Sequence, residues 1–279
     1  MRSLNIIYDN VNHAVTLGGS LVLRQEVELL SEIKSSKNIN IFYKKELDSK
    51  EEKIINIVFK SSNLIFKIYK VFNEISFDWP LKNDLNEIDF SYHSFSRINK
   101  LFYKYGKKPR LDWNIDIINS AKNKIKSLDK NIIAIHLKNV EENNLLESNI
   151  DTKTWVKFFD KNKIEDHYYL LIGDDAIPSS IDFDYVFQAN RFNLSIEEQL
   201  ALIPLCKGFI GLASGMCTSA NFSNIPYVIL KHPDHHREEM ESTFNSKNKI
   251  PFFNENQHLW RTSQNKEVLQ KALELVIKK

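Results

Sequence analysis

The stretch that decides the fold runs from Gly208 to Leu230 and reads GFIGLASGMCTSANFSNIPYVIL. It begins with an apolar strand, which leads into a turn of small residues and then a short helix. Ile225-Pro226 leads directly into a second apolar strand. Because two apolar strands joined through a helix form a βαβ unit, this stretch predicts a parallel sheet.

The turn of small residues is the candidate binding element. Ser214 and Gly215 open the predicted helix, so bare backbone N–H groups, a hydroxyl and the positive end of the helix dipole would converge where a phosphate could dock. The carboxyl end of a parallel strand is also where ligands bind in open α/β sheets. The alternative is a tight turn and helix cap that binds nothing, since serine and glycine are common at such positions.

The composition indicates a folded protein of enzyme size. Its 279 residues can form two domains, and a hydrophobic content of 42% with only seven glycines and seven prolines argues against disorder. The 38 basic and 36 acidic residues leave a net charge of +2, which argues against a strong electrostatic field for nucleic acid. We therefore expect no nucleic-acid partner.

Cysteine usage and the N-terminal sequence favour a cytoplasmic location. Cys206 and Cys217 are the only cysteines, too few for a disulfide framework in a chain of this length. The sequence enters its first strand at residue 4 without a signal-peptide pattern, and no apolar run approaches the length of a membrane span. We expect a soluble protein in a reducing compartment.

Residues 1–112 are predicted to form an N-terminal α/β domain. Its first helix carries apolar residues on one face and Arg24, Gln25 and Glu28 on the other, as a surface helix would. The polar, proline-bearing segment 106–113 marks the domain boundary. The predicted elements are strands at 4–8, 39–43, 65–71 and 74–77, and helices at 19–34, 50–59 and 95–105.

Residues 113–279 are predicted to form a second domain, in which strands and helices alternate more clearly. Ser195 and Glu198 have the spacing of a capping box at the start of one helix. This alternation predicts a parallel sheet with helices on both faces. The chain is thus predicted to be an α/β protein with two Rossmann-like domains facing each other across a cleft. The predicted elements outside the opening stretch are strands at 132–137, 168–172, 185–188 and 251–253, and helices at 115–128, 153–160, 195–205 and 266–277.

The second domain resembles the GT-B fold glycosyltransferases, most closely the heptosyltransferase-like group that builds lipopolysaccharide and other bacterial cell-surface glycans. The likeness centres on residues 197–208, EEQLALIPLCKG, and on the turn that follows. There the family has Asp-Thr-Gly-x-x-His, and this chain has ASGMCT at 213–218, with Ala213 for the aspartate and Thr218 for the histidine. Asn224-Ile225-Pro226 matches the family's Gly-x-Pro turn.

The resemblance implies a donor site on the second domain. Ser214, Gly215, Met216 and Thr218 would surround the donor diphosphate. Lys138 would neutralise the leaving diphosphate as basic residues do in metal-free transferases of this fold, although a solvent-facing strand end is the alternative. His136 is assigned to the same site because it ends the same predicted strand. Two further residues at predicted strand ends, which would contact the nucleoside, complete the set: Gly173 and Gln188.

The first domain carries a second likeness. Its sequence LGGSLVL at 17–23 resembles the start of the family's first long helix, where Ser20 stands at the position of the family's acidic base. Because serine cannot act as a general base near neutral pH, Asp9 and His13, which follow the first strand, become the candidate catalytic residues. The alternatives are a turn cap and a solvated loop histidine. Gly18 and Gly19 would allow close backbone approach to the donor, or merely form a flexible loop.

Two clusters carry metal-ligating residue types. His232, His235 and His236 lie beside several acidic residues, and either a metal site or a loop that touches donor or acceptor would explain them. Asp174-Asp175 lacks the spacing of a metal-binding Asp-x-Asp. We expect neither a metal nor another cofactor.

Together with the resemblance, these observations predict a metal-independent glycosyltransferase that moves a sugar from a nucleotide-diphosphate donor to a glycan or lipid-linked acceptor. The resemblance alone implies inversion at the anomeric carbon. A lipid-linked acceptor would bring peripheral contact with the cytoplasmic face of the inner membrane. A nucleotide-sugar epimerase or hydrolase of the same fold is the alternative enzyme, and a degenerate nucleotide- or glycan-binding protein is the alternative outside enzymes. The sequence leaves the oligomeric state open.

Overall fold

A computed structural model describes residues 3–70, 76–80, 95–139, 148–244 and 249–278. Backbone contacts divide the chain into two compact units. The first unit extends to Asn114 and includes His236–Phe252, and the second contains Ile115–His235 and the residues from Phe253 onward. Residues 236–252 thus group with the first unit, although the predicted boundary at 112 assigns them to the second domain. Each unit is described by itself below.

The first unit is built on a parallel sheet. Its strands lie in the order β1-β2-β3, and Trp79 bridges to Ile6 on the side of β1 away from β2. This bridge places β1 inside the sheet. The predicted strand at 74–77 lies partly outside the described residues. The elements are β1 Leu4–Tyr8, α1 Leu17–Lys34, β2 Asn38–Tyr43, α2 Ser49–Lys60, β3 Ile65–Lys70, α3 Ser96–Tyr105 and, later in the chain, α8 Arg237–Thr243.

Helix α1 is buried on its polar side as well as on its apolar side. Arg24, Gln25 and Glu26 have no exposed surface. The prediction that this segment forms a surface helix is therefore wrong. Arg24 donates to the carbonyl of Val58 at 2.9 Å and lies 4.5 Å from the ring centre of Trp113. These partners of Arg24 lie in segments distant in sequence. The apolar periodicity of a helix cannot predict such partners.

The second unit contains a six-stranded sheet in the order β6-β5-β4-β7-β8-β9. All its strand pairs are parallel, so the α/β parallel-sheet prediction is confirmed. Numbered within the unit, the order is 3-2-1-4-5-6, that of a doubly wound Rossmann sheet. The elements are α4 Ile115–Lys124, β4 Asn131–His136, α5 Thr152–Lys161, β5 His167–Ile172, β6 Val186–Gln188, α6 Ile196–Leu202, β7 Gly208–Leu212, α7 Cys217–Asn221, β8 Tyr227–Lys231, β9 Gln257–Arg261 and α9 Lys266–Ile277.

One hydrophobic cluster of the second unit lies on one face of this sheet. Alternate residues of the central strands pack there against Trp155, Phe158 and Phe159 of α5 and against Leu273 of α9. All four side chains are at most 4% exposed. The apolar positions that predicted these helices therefore pack against the sheet.

Two predicted elements of the second unit differ in detail. The capping box at Ser195 and Glu198 is present, but α6 ends at Leu202 and continues only as a 3-10 turn, because Pro204 has no N–H to donate to a helical bond. The last strand is β9 rather than 251–253, where the chain forms a turn and Phe253 packs on Tyr227.

No helix within the described ranges combines the length and apolar character that a membrane crossing requires.

Candidate functional site

The topology of the second unit defines a crevice at the carboxyl ends of β4 and β7. β4 leads to β5 on one side of the sheet and β7 leads to β8 on the other, so the direction of winding reverses between them. Ligands of doubly wound sheets bind at such a switch point. His136 pairs with Gly211 across these strands, and the chain positions that follow are Lys138 and Ala213. The structure thus brings the predicted residues of strand β4 and of the small-residue turn to one place.

Lys138 is a largely buried cation in this crevice. The residue is only 8% exposed. Burial lowers the pKa of its ammonium group, although the charge of Asp175 acts in the opposite direction. Across the described part of the chain, we find no hydrogen bond or ion pair made by this ammonium group. A buried cation without an ion pair is costly, so an anionic ligand would stabilise it.

The turn after β7 is tighter than the sequence predicts. Ser214 Oγ accepts a hydrogen bond from the N–H of Met216 at 3.1 Å, and the helix begins only at Cys217. The prediction that Ser214 and Gly215 open the helix is therefore wrong, and five helical residues provide only a small dipole. Ser214 and Gly215 are partly exposed, whereas Met216 and Thr218 are each 5% exposed. Access for a ligand is therefore best at Ser214 and Gly215.

His136 lies beneath the crevice as a neutral, buried imidazole. Its residue is 2% exposed, and burial lowers its pKa. Nδ1 lies 2.9 Å from the carbonyl of Ile172, so Nδ1 carries the proton and Nε2 is an acceptor. Nε2 is buried and has no hydrogen-bond partner within the part of the chain described. This unsatisfied acceptor supports the assignment of His136 to a polar site.

Gly173 gives His136 the room that it occupies. A Cβ atom at Gly173 would lie 2.9 Å from Nδ1 of His136, and the backbone φ of 111° also disfavours other residues. The N–H of Gly173 donates to Oε1 of Gln199 at 2.7 Å, so this amide is engaged within the protein. Gln188 ends β6, which β5 separates from β4, so the structure places it away from the crevice.

Asp9 of the first unit holds a loop together. Its carboxylate accepts from Asn12 Nδ2 at 3.0 Å and from Lys44 Nζ at 2.5 Å. Burial acts to raise the pKa of Asp9, but the hydrogen bonds from Lys44 and Asn12 prevail and the pKa is lowered. A carboxylate engaged in this way is a weak proton acceptor.

His13 lies half-buried in the same loop. Its backbone N–H donates to the backbone carbonyl of Asp9 at 3.0 Å. Burial lowers the pKa of His13 from 6.5, while the charge of Asp9 raises it and the charges of Arg97 and Lys44 lower it further. The imidazole is therefore neutral at neutral pH, as a general base must be.

Gly18 and Gly19 lie in the first turn of α1, so the alternative of a flexible loop is wrong. The helix begins at Leu17, and the N–H of Gly19 donates to Oγ1 of the capping residue Thr16 at 3.1 Å. Because both residues are glycines, no side chain projects from these two positions at the start of the helix. Gly18 is partly exposed, whereas Gly19 is buried.

The remaining residues with reactive or metal-ligating types show other environments. The Cys206 and Cys217 thiols are buried, and burial raises the pKa of each to about 12, so neither is a reactive thiolate. In the portion of the chain described, no three side chains of His, Cys, Asp or Glu form a cluster that could hold a metal ion. His232 and His235 line a recess beside the turn after β7.

Sequence reasoning missed Gln199 and Ser148 as residues of this region. Gln199 orients the loop after β5, and Ser148 lies in the wall of the recess. Gln199 follows a capping box within a helix, and Ser148 follows a polar stretch. No local pattern distinguishes either residue from an ordinary surface residue.

These features define a doubly wound α/β fold with a buried lysine at the switch point of its sheet, and solved structures share that fold. No family model matches the sequence, and no curated protein does. The glycosyl transferase family 9 protein from Veillonella parvula aligns over 100% of this chain and 98% of its own, with 10% identity and a TM-score of 0.57. The Escherichia coli heptosyltransferase WaaC with ADP aligns over 98% and 97%, with 10% identity and a TM-score of 0.50.

The chain therefore has the fold of these glycosyltransferases, as the resemblance implied. The arrangement of two domains across a cleft stays a prediction.

Proposed function

We propose that the protein is a glycosyltransferase that uses a nucleoside diphosphate sugar as donor. The observation that carries this proposal is the buried ammonium group of Lys138 at the switch point, beside the accessible turn of Ser214 and Gly215. A diphosphate would supply the negatively charged partner that this ammonium group needs. The shared fold with structures of glycosyltransferases, one of them with ADP, supports a nucleotide as the ligand.

Lys138 would act on the leaving group. As the bond between the anomeric carbon and the diphosphate breaks, negative charge grows on the phosphate oxygen, and a desolvated cation stabilises that charge more than a solvated one would. This lysine would take the role that a metal ion has in other transferases, so the reaction is proposed to be metal-independent.

His13 would activate the acceptor. A neutral imidazole accepts the proton of the acceptor hydroxyl, whose oxygen then attacks the anomeric carbon from the side opposite the diphosphate and inverts its configuration. Asp9 is assigned a supporting role, because its charge raises the pKa of His13 while its own oxygens are engaged. At Gly18 the protein backbone could approach the donor phosphate or sugar closely, because no side chain intervenes.

The acceptor is proposed to be a glycan or a lipid-linked sugar, in the cytoplasm or at the cytoplasmic face of the membrane. This part of the proposal extends the resemblance to the group that builds cell-surface glycans. Its test is transfer of a radiolabelled sugar to lipid-linked and free glycan fractions of the source cells.

Thermal unfolding with ADP, UDP, GDP and CDP, each against its monophosphate, tests the donor site. We expect at least one diphosphate at millimolar concentration to raise the midpoint by several degrees, because ligand binding to the folded state stabilises it. Lys138→Met should remove the preference for diphosphate over monophosphate. A protein that no diphosphate stabilises would refute the donor site.

Product analysis then distinguishes a glycosyltransferase from a nucleotide-sugar hydrolase or epimerase. Incubation of a stabilising nucleotide sugar alone should release little free sugar. Rapid hydrolysis or epimerisation without acceptor would instead identify the alternative enzymes. Binding without turnover in the presence of acceptor fractions would favour the non-catalytic alternative.

A further inference from the structure

A recess opens beside the turn after β7, at the carboxyl ends of β7, β8 and β9. Leu212 and Leu230 contribute apolar surface, and Ser148, Ala213, His232 and Thr262 are among its other lining residues. We call it the β7–β9 recess. Ala213 directly precedes Ser214, so the β7–β9 recess adjoins the candidate diphosphate turn.

Ser148 is the residue that marks the β7–β9 recess as a binding site. It is only 8% exposed, its Oγ is buried, and this hydroxyl has no hydrogen-bond partner within the described part of the chain. A buried hydroxyl without a partner lowers stability, and such groups are rare in folded proteins. A ligand acceptor in the β7–β9 recess would satisfy it.

His232 presents a second donor. Its Nδ1 accepts a hydrogen bond from the N–H of Asp234 at 3.4 Å, which assigns the proton of the neutral imidazole to Nε2. Nε2–H can therefore donate to a ligand. The side chain of His232 is 22% exposed, so it is accessible from solvent.

The chemistry around the β7–β9 recess favours an anion. The imidazole of His232 can donate a hydrogen bond, and none of the described residues that line the recess is acidic. Arg261 donates to the carbonyl of Pro233 in the same loop and brings a positive charge. Asp234 lies 3.9 Å from His232 Nδ1, but its side chain is 72% exposed and its charge is screened by water.

We infer that the β7–β9 recess binds a carboxylate group, and, resting on the proposed function, that this carboxylate belongs to the sugar of the donor. A carboxylate has two oxygens that accept hydrogen bonds, which suits the hydroxyl of Ser148 and Nε2–H of His232. The contact of the recess with Ala213 places the sugar next to the diphosphate turn. The donor is thus an activated acidic sugar, of the uronic acid class.

The first experiment tests the β7–β9 recess without a nucleotide. Methyl glucuronide and methyl glucoside, which differ by a carboxylate in place of a hydroxymethyl group, are titrated into the protein while the histidine C2–H signals are followed by NMR. His232→Gln identifies the signal of His232. We expect this signal to shift with the glucuronide at least tenfold more strongly than with the glucoside. Equal shifts, or none, would overturn the inference.

Matched variants give the same test a structural control. Ser148→Ala and His232→Gln should each weaken glucuronide binding about fivefold to tenfold, the effect of one hydrogen bond to a charged group. Glucuronide binding by Ser148→Ala can be read from the His232 signal, and by His232→Gln from calorimetry. Ser179→Ala, which alters an exposed serine of the same unit, should bind as the unaltered protein does. Equal losses in all three variants would overturn the assignment to the recess.

The second experiment asks whether the carboxylate is carried by the donor. UDP-glucuronate is compared with UDP-glucose, and GDP-mannuronate with GDP-mannose. We expect the acidic member of one pair to bind at least tenfold more tightly, and Ser148→Ala to reduce this preference below threefold. Equal affinity within both pairs would overturn the donor assignment. Because the proposed function is tested with unsubstituted diphosphates, diphosphate binding without glucuronide binding would refute the recess alone.

Discussion

Arg97 and Glu26 form an ion pair in the first unit that has no contact with water. Nη2 of Arg97 lies 2.9 Å from Oε1 of Glu26, and neither side chain has exposed surface. Trp79 Nε1 donates to the other carboxylate oxygen at 2.6 Å. This pair joins α3 to α1 and fixes the segment that bridges to β1.

Arg97→Met should therefore strongly destabilise the protein. Removing one partner leaves the Glu26 charge buried and uncompensated, which costs about 3–5 kcal/mol of unfolding free energy. The addition of Glu26→Gln should recover part of this loss, because it removes the charge and keeps an acceptor for Trp79. Urea denaturation measures both variants, and a double variant less stable than Arg97→Met would contradict the interpretation.

Lys138→Met should make the free protein more stable near neutral pH. Burial lowers the pKa of Lys138, so its charged form is disfavoured in the folded state. That penalty applies below the folded pKa and fades as the pH rises from it towards the unfolded value, so the gain should shrink in alkaline solution. Thermal unfolding across this pH range measures the effect.

Lys207→Met is the matched control for Lys138→Met. Lys207 precedes β7 at the amino end of the sheet, and it is only partly buried. It should change neither stability nor diphosphate binding appreciably. A loss of diphosphate binding in this variant as well would show that the effect is one of net charge.

Asp9→Asn and Lys44→Met should shift the pKa of His13 in opposite directions. The charge of Asp9 raises this pKa and that of Lys44 lowers it. Asp9→Asn should therefore lower the pKa further, and Lys44→Met should raise it. NMR titration of the His13 C2–H signal measures both, and shifts of the same sign would show that a change in loop structure dominates.

The lowered pKa of His13 predicts a pH profile for the proposed sugar transfer. If neutral His13 is the base, the rate should rise with pH through a pKa below 6.5 and then level off. His13→Gln should lower kcat about 100-fold or more and remove this rise. A variant that keeps the unaltered profile would assign the base to another residue.

Gly173→Ala should cost more stability than Gly106→Ala. Both glycines have positive φ, 111° and 65°, but only at Gly173 would the new Cβ meet a neighbour, His136 Nδ1 at 2.9 Å. We expect about 1 kcal/mol for Gly106→Ala and about 2–4 kcal/mol for Gly173→Ala. Urea denaturation compares them, and equal losses would mean that His136 moves aside freely.

Glu198 should contribute to the loss of stability in acid. Burial raises its pKa, but Lys124 Nζ at 2.7 Å, Ser120 Oγ at 2.6 Å and the Ser195 N–H prevail, so the folded pKa is lowered. Its stabilisation is present above the unfolded pKa of about 4.3 and is lost as the pH falls through the folded value.

Glu198→Gln measures this contribution. The variant should be about 1–2 kcal/mol less stable at pH 7, and its stability should fall less steeply below about pH 4.5. Chemical denaturation between pH 3 and 7 follows both curves. Parallel curves for the two proteins would contradict the lowered pKa.

Local sequence patterns predict most of the regular elements and the parallel character of the sheets. Apolar periodicity and capping residues act within a few positions of the chain, which is why the capping box at Ser195 and the helix Lys266–Ile277 were predictable. The edge strand Gln257–Arg261 was not, because most of its residues are only partly buried and it lacks a clear apolar run.

The sheet order and the environment of each polar group depend instead on contacts between distant parts of the chain. Lys138 and Gly173 follow separate strands that pairing brings to one edge of the sheet, and Gln199 of α6 reaches that edge through its hydrogen bond from Gly173. Burial and long-range partners likewise determine that Asp9 is engaged, that His13 is neutral and that Ser148 has an unsatisfied hydroxyl. These properties depend on desolvation and on contacts distant in sequence, and no local pattern contains either.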